Sequence, residues 1–112
     1  MNDFSKELIA AALTPLMLSV LAQGETYGYE MIRKVKELSG GKLDVGEGTL
    51  YPLLRKLEER GIVETQWRQA PNDRQRKYYR LKQQGQLMLE TERANWLVIH
   101  QLLQTLWNPS LM

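Results

Sequence analysis

Between Ser5 and Gln23 the apolar residues Leu8, Ala11, Ala12, Pro15, Leu16, Leu18, Val20 and Leu21 recur at mixed helical spacing, and Gly24 stands where a helix would end. This predicts a first helix. Thr14-Pro15 interrupts it, because a proline nitrogen cannot donate to the carbonyl four residues back but suits the position after a threonine cap. The segment is either two short helices or one bent one. A second helix starts with Thr26 as its cap and carries Tyr27, Met31, Val35 and Leu38 on one face, against Glu30, Arg33, Lys34 and Lys36 on the others, until Ser39-Gly40-Gly41. After Leu43 and Val45 a third helix presents Leu50, Leu53, Leu54 and Leu57. Pro52 belongs in its first turn, which makes Thr49 the N-cap and Gly46 to Gly48 the lead-in turn, while Gly61 caps the far end after Arg60.

The period then changes. Ile62 to Trp67 sets Ile62, Glu64 and Gln66 against Val63, Thr65 and Trp67, and Lys77 to Leu81 is again alternating and aromatic, with Pro71-Asn72-Asp73 between them. That is a hairpin with a polar tip, in which Tyr78 and Tyr79 face opposite ways, one to the core and one to solvent. From about Gln83 to Trp107 the residues Leu89, Trp96, Ile99, Leu103 and Leu106 fall close to a three-four repeat, before Asn108-Pro109 stops the helix. Such a stripe is about 30 Å long, more than a core of this size covers, so a second copy of the chain is expected on it. The expected fold is mainly α with a small β-hairpin, divided into residues 1–82, which include the hairpin, and a C-terminal dimerisation helix and tail, 83–112.

Composition narrows the function. A chain of 112 residues and 13.1 kDa fits one core. Cysteine is absent, which removes disulfides, thiolate metal sites and cysteine nucleophiles. The N-terminus has no secretory pattern and no apolar run reaches the length of a membrane span, so a cytoplasmic protein without membrane contact is expected. The net charge is only +2, but its distribution is uneven: residues 1–26 carry −2, 27–60 carry +1, 61–82 carry +4 and 83–112 carry −1. The positive charge sits in the hairpin segment.

Three helices followed by a hairpin is the order of a winged helix-turn-helix, whose third helix enters the major groove while the hairpin touches the flanking backbone. Arg68, Arg74, Arg76, Lys77 and Arg80 lie on or beside the hairpin tip, where they suit phosphate oxygens or a minor groove. Tyr51 and Arg55, one turn apart, share the exposed face of the third helix opposite Leu50, Leu54 and Leu57, and Gly46, Gly48 and Thr49 let backbone approach phosphate. Three stretches resemble the PadR-like transcriptional regulators, in particular the short members with a single C-terminal helix. They are Tyr27-Gly28-Tyr29-Glu30, the run from Gly48-Thr49-Leu50-Tyr51-Pro52 through Arg60-Gly61-Ile62-Val63, and Arg76-Lys77-Tyr78-Tyr79-Arg80-Leu81. The chain departs from the pattern at the tip, where Ala70-Pro71-Asn72-Asp73 replaces glycines, and at Lys82, where a capping threonine is frequent.

The resemblance implies a homodimeric repressor on an inverted-repeat operator in double-stranded DNA. Its contact residues would be Gly48, Thr49, Tyr51, Pro52, Arg55, Arg74, Arg76 and Lys77, and its dimer contacts Leu89, Trp96, Ile99, Leu103 and Leu106. It also implies a small planar, hydrophobic or aromatic effector beside Trp96. A second reading is a winged-helix module that binds protein instead of DNA. Catalysis, cofactors and metal are not expected. No glycine loop with a phosphate-binding lysine and no nucleophile with a partner base is present, and the lone His100 reads as a surface or interface residue.

Overall fold

The computed structural model describes residues 4–72 and 74–111; Asp73 of the hairpin tip lies outside them. Four helices and a three-stranded antiparallel sheet follow the order α1 (Lys6–Ala22), β1 (Thr26–Tyr27), α2 (Gly28–Leu38), α3 (Glu47–Glu59), β2 (Val63–Gln69), β3 (Gln75–Leu81) and α4 (Gln83–Trp107), with a 3-10 turn at Pro109–Leu111. The sheet order is β1-β3-β2.

α1 is one helix through Pro15. Ser5 caps it by accepting from the Leu8 N–H at 3.1 Å, and the cost of the proline is confined to the Ala11 carbonyl, which loses its helical donor. Leu13 and Met17 are its buried centre, together with Leu18, Val20 and Leu21, whereas Leu8 and Ala11 are exposed. α2 buries Met31 and Val35 but leaves Leu38 75% exposed at its end. Thr26 does not cap α2. It pairs with Tyr79, as Tyr27 does with Tyr78, which extends the hairpin to a third strand and satisfies part of the outer edge of β3.

α3 also begins earlier than the position of Pro52 suggests. Gly46 is its N-cap and its carbonyl accepts from the N–H groups of Thr49 and Leu50 at 3.1 and 3.0 Å, which puts Pro52 in the second turn instead of the first, and Thr49 inside the helix. The proline costs one bond, to the Gly48 carbonyl, at a solvent-exposed place. Leu50, Leu54 and Leu57 are fully inside, as their spacing requires. Gly61 then reverses the chain at φ 74°, so that the Ile62 N–H reaches the Leu57 carbonyl at 2.9 Å.

α4 spans the expected residues. Its first turn lies directly against the base of the hairpin: a Cβ on Gly85 would stand 2.4 Å from the Ile62 carbonyl oxygen and 2.7 Å from Leu81 Cδ2, and the Lys82 N–H donates to that same carbonyl at 3.0 Å. Leu89 is 6% exposed and belongs to the core of the single chain, so it leaves almost nothing for a second subunit. Beyond it the helix projects outward. No helix among the described residues is long and apolar enough to cross a membrane.

Candidate nucleic-acid interface

One carboxylate ties the hairpin to α3. Glu58 accepts from Lys77 Nζ at 2.9 Å and from Thr65 Oγ1 at 2.8 Å, one partner on each strand. Both bonds favour the ionised form, Lys77 most strongly, and they hold the carboxyl below its ordinary range. The register pairs Thr65 with Tyr79 and Trp67 with Lys77, so these four residues share the sheet face that α3 covers at its end. Tyr79 is buried there, and Tyr78, on the other face, is half-buried.

Beyond that tie an open trough of about 610 Å³ separates hairpin from helices. Its walls are Tyr51 and Arg55 of α3, Tyr27 to Tyr29 at the start of α2, and Trp67 with residues 74–77 of the hairpin. Tyr51 lies across Gly28: a Cβ there would be 2.6 Å from the phenol oxygen and 2.7 Å from Cζ, so only glycine permits this approach. Burial first, and the Glu47 carboxylate second, raise the Tyr51 phenol above its usual value, which keeps it a neutral O–H donor.

The hairpin cations are not equivalent. Arg68 pairs with Glu25, Arg80 with Glu64, and Lys77 with Glu58. Among the described residues Arg55, Arg74 and Arg76 form no ion pair. Arg76 lies over the Tyr27 ring at 4.4 Å, and that ring in turn meets Tyr78 edge-on at 5.4 Å. At the tip the Ala70 N–H donates to the Arg74 carbonyl at 2.6 Å and the Arg74 N–H to Asn72 Oδ1 at 3.3 Å, a turn built on asparagine in place of glycine.

The fold therefore gathers Tyr51, Arg55, Arg74, Arg76 and Lys77 around one trough, with Lys77 already engaged. Gly48 is on the exposed first turn of α3, where an added Cβ would meet nothing within 4 Å. Thr49 and Pro52 point elsewhere, into a shallow cleft against Leu13 and Thr14 of α1.

Residues 17–91, well over half of the chain, match the model of the transcriptional regulator PadR-like family. The chain belongs to the PadR-like family of transcriptional regulators. Its structure is similar to that of a PadR-like transcriptional regulator from Bacillus cereus strain ATCC 14579, with a TM-score of 0.80 and 26% identity over 92% of this chain and 98% of that one. It is also similar to a PadR family transcriptional regulator from Eggerthella lenta DSM 2243, with a TM-score of 0.77 and 30% identity over 91% of this chain and 87% of that one. Transcriptional regulator YqjI of Escherichia coli K12 is 27% identical over 78 residues, 70% of this chain but only 36% of that longer protein. The family is one of DNA-binding regulators and not of enzymes, and among the described residues no group of His, Asp or Glu side chains is placed to hold a metal.

Two aromatic residues of this PadR-like trough escape the sequence pattern. Tyr29 is 63% exposed and Trp67 60%, both on its walls. Alternation puts Trp67 on the same strand face as Val63 and Thr65, which reads as interior; the strand outruns the helix that covers that face, and periodicity does not see where α3 stops. A second concavity, about 460 Å³, runs between α1 and α4 with apolar walls from Ala12, Pro15, Leu16, Trp96 and Leu97, and His100 at its rim. Trp96 Nε1 donates to Glu92 Oε2 at 3.2 Å. Ile99, Leu103 and Leu106 are 45%, 38% and 55% exposed in the single chain.

Proposed function

We propose that this regulator is a homodimeric repressor that grips an inverted-repeat operator with α3 and the hairpin of each subunit, and releases it when a small planar effector binds beside Trp96. The observation that carries the DNA part is the set of guanidiniums, Arg55, Arg74 and Arg76, that form no ion pair among the described residues and stand on facing walls of one trough. Cations held by carboxylates would gain little from phosphate, whereas free ones release condensed counterions when they bind. Tyr51 and Arg55 reach base edges or phosphate, and Gly48 and Thr49 bring backbone close to the strand. Pro52 faces the cleft against α1 and adds no contact in the trough, and Lys77 serves mainly to set the hairpin against α3.

The dimer rests on shape and area. The chain exposes 7992 Å², against about 6400 Å² for a compact monomer of this mass. Its radius of gyration is 16.0 Å, against about 13 Å for a compact domain of this length. On the outer part of α4, Ile99, Leu103 and Leu106 join Val98 and Leu102 in an exposed apolar band. Trp96 and the α1–α4 concavity border that band, so a ligand there would touch the element that joins the subunits. A dimer seated over a promoter excludes polymerase, which is the repressor reading.

The test is the affinity of the full chain for duplex DNA, including the region upstream of its own gene, at several salt concentrations. A steep fall of log affinity with log salt, near −0.9 per neutralised phosphate, is expected. Affinity that is flat in salt would point instead to a protein partner on the same face.

A further inference from the structure

We infer that Trp67 is a DNA contact of a different kind from the arginines: its indole packs against deoxyribose in the strand that occupies the trough, adding affinity that depends on neither salt nor sequence. The inference rests on the reading of the trough as a DNA site.

Three observations point to it. Trp67 stands cross-strand from Lys77, on the face that α3 covers only as far as Glu58, so its ring emerges 60% exposed at the point where the core gives way to the trough. Among the described residues its indole has no hydrogen bond and no ring partner, in contrast to Trp96, whose N–H is held by Glu92. Its neighbours around the trough are Arg55, Arg74 and Arg76, which form no ion pair among the described residues. A nucleic-acid backbone alternates anionic phosphates with sugars that present apolar C–H edges, and a wall that alternates guanidinium with aromatic surface complements it. The indole N–H, a donor with no acceptor among the described residues, has phosphate oxygens in reach in such a complex. Because indole carries no charge, it displaces no counterion, and its contribution leaves the salt slope untouched.

The contact does not depend on sequence, so the probe is a random-sequence duplex of about 25 base pairs, long enough for two half-sites one turn apart. Binding is followed by fluorescence anisotropy at several salt concentrations with the full-length protein. Trp67→Ala should bind about tenfold more weakly at every salt concentration, giving a line parallel to that of the wild type, and Trp67→Phe should recover part of the loss. Affinity within about twofold of wild type, or a changed slope, overturns the inference. If the wild type itself shows no salt-dependent affinity for duplex, the DNA reading fails and takes this contact with it; if the wild type binds and Trp67→Ala coincides with it, this contact alone fails. A second measurement does not depend on the alanine variant folding. In protein labelled with 5-fluorotryptophan, the fluorine resonance assigned to Trp67 by its loss in Trp67→Phe should shift when the duplex is added; a resonance that stays in place overturns the inference.

Discussion

At Gly28 a methyl group would collide with the Tyr51 phenol, whereas at Gly48 it would meet nothing. Gly28→Ala must displace Tyr51 or open the α2–α3 junction, and should destabilise the chain by about 1–3 kcal/mol. Gly48→Ala replaces a flexible residue inside a helix and should stabilise the chain by about 0.5–1 kcal/mol, yet weaken duplex binding, because the added methyl lies between the α3 backbone and any phosphate it approaches. Thermal melts and anisotropy on the two variants separate these outcomes; unchanged affinity in Gly48→Ala would remove α3's first turn from the interface. The arginines with no ion pair among the described residues differ again. Arg74→Ala and Arg76→Ala should each make the log–log salt slope shallower by about one unit while affecting operator and random duplex alike. Arg68→Ala should leave the slope nearly unchanged, since its guanidinium is already held by Glu25.

Between elements, the Glu58 tie makes the junction of α3 and hairpin sensitive to pH. Its carboxyl titrates below the ordinary range in the folded chain, chiefly through Lys77. The stability it contributes is therefore complete above the unfolded value, roughly pH 4.3, and is lost as pH falls through the folded value. Urea midpoints of wild type and Glu58→Gln should differ at neutral pH and converge in acid; a constant difference would mean that the ion pair adds no pH-dependent stability. The element borders show what a linear pattern can reveal. α4 was legible to its last residue because Asn108-Pro109 stops it, and the buried stripe Leu50, Leu54 and Leu57 because a charged opposite face contrasts with it. α1 is apolar on nearly all sides, so its spacing did not mark Leu13 and Met17 as its centre. β1 was hidden because two residues have no periodicity, and only the edge of a distant strand makes Thr26 and Tyr27 extended. Within the site, residue types located the cations, but which of them are held in ion pairs depends on Glu25, Glu58 and Glu64, a matter of spatial neighbours.

For the molecule as a whole, the exposed band of α4 should decide the assembly. Leu102→Asp with Leu106→Asp places charges on residues that are 57% and 55% exposed in the single chain. The variant should fold but sediment as a monomer, where the wild type sediments as a dimer at micromolar concentration; a wild-type monomer would refute the assembly. A two-fold dimer should footprint as two half-sites with centres roughly 34 Å apart. The contact at Gly85 bears on how that distance is controlled. With no side chain on Gly85 itself, the first turn of α4 sits against the Ile62 carbonyl and the Leu81 side chain at the hairpin base, which leaves little slack for a rotation of one against the other. α4 has 25 residues and so measures about 37 Å, which makes it a stiff arm clamped at one end to the DNA-reading head. A tilt of about 5° at its far end would carry the head about 3 Å, enough to spoil the match to successive turns of the duplex. In the proposed dimer, Gly85 thus sets the gearing between whatever happens where the subunits meet and the span of the operator they would fit.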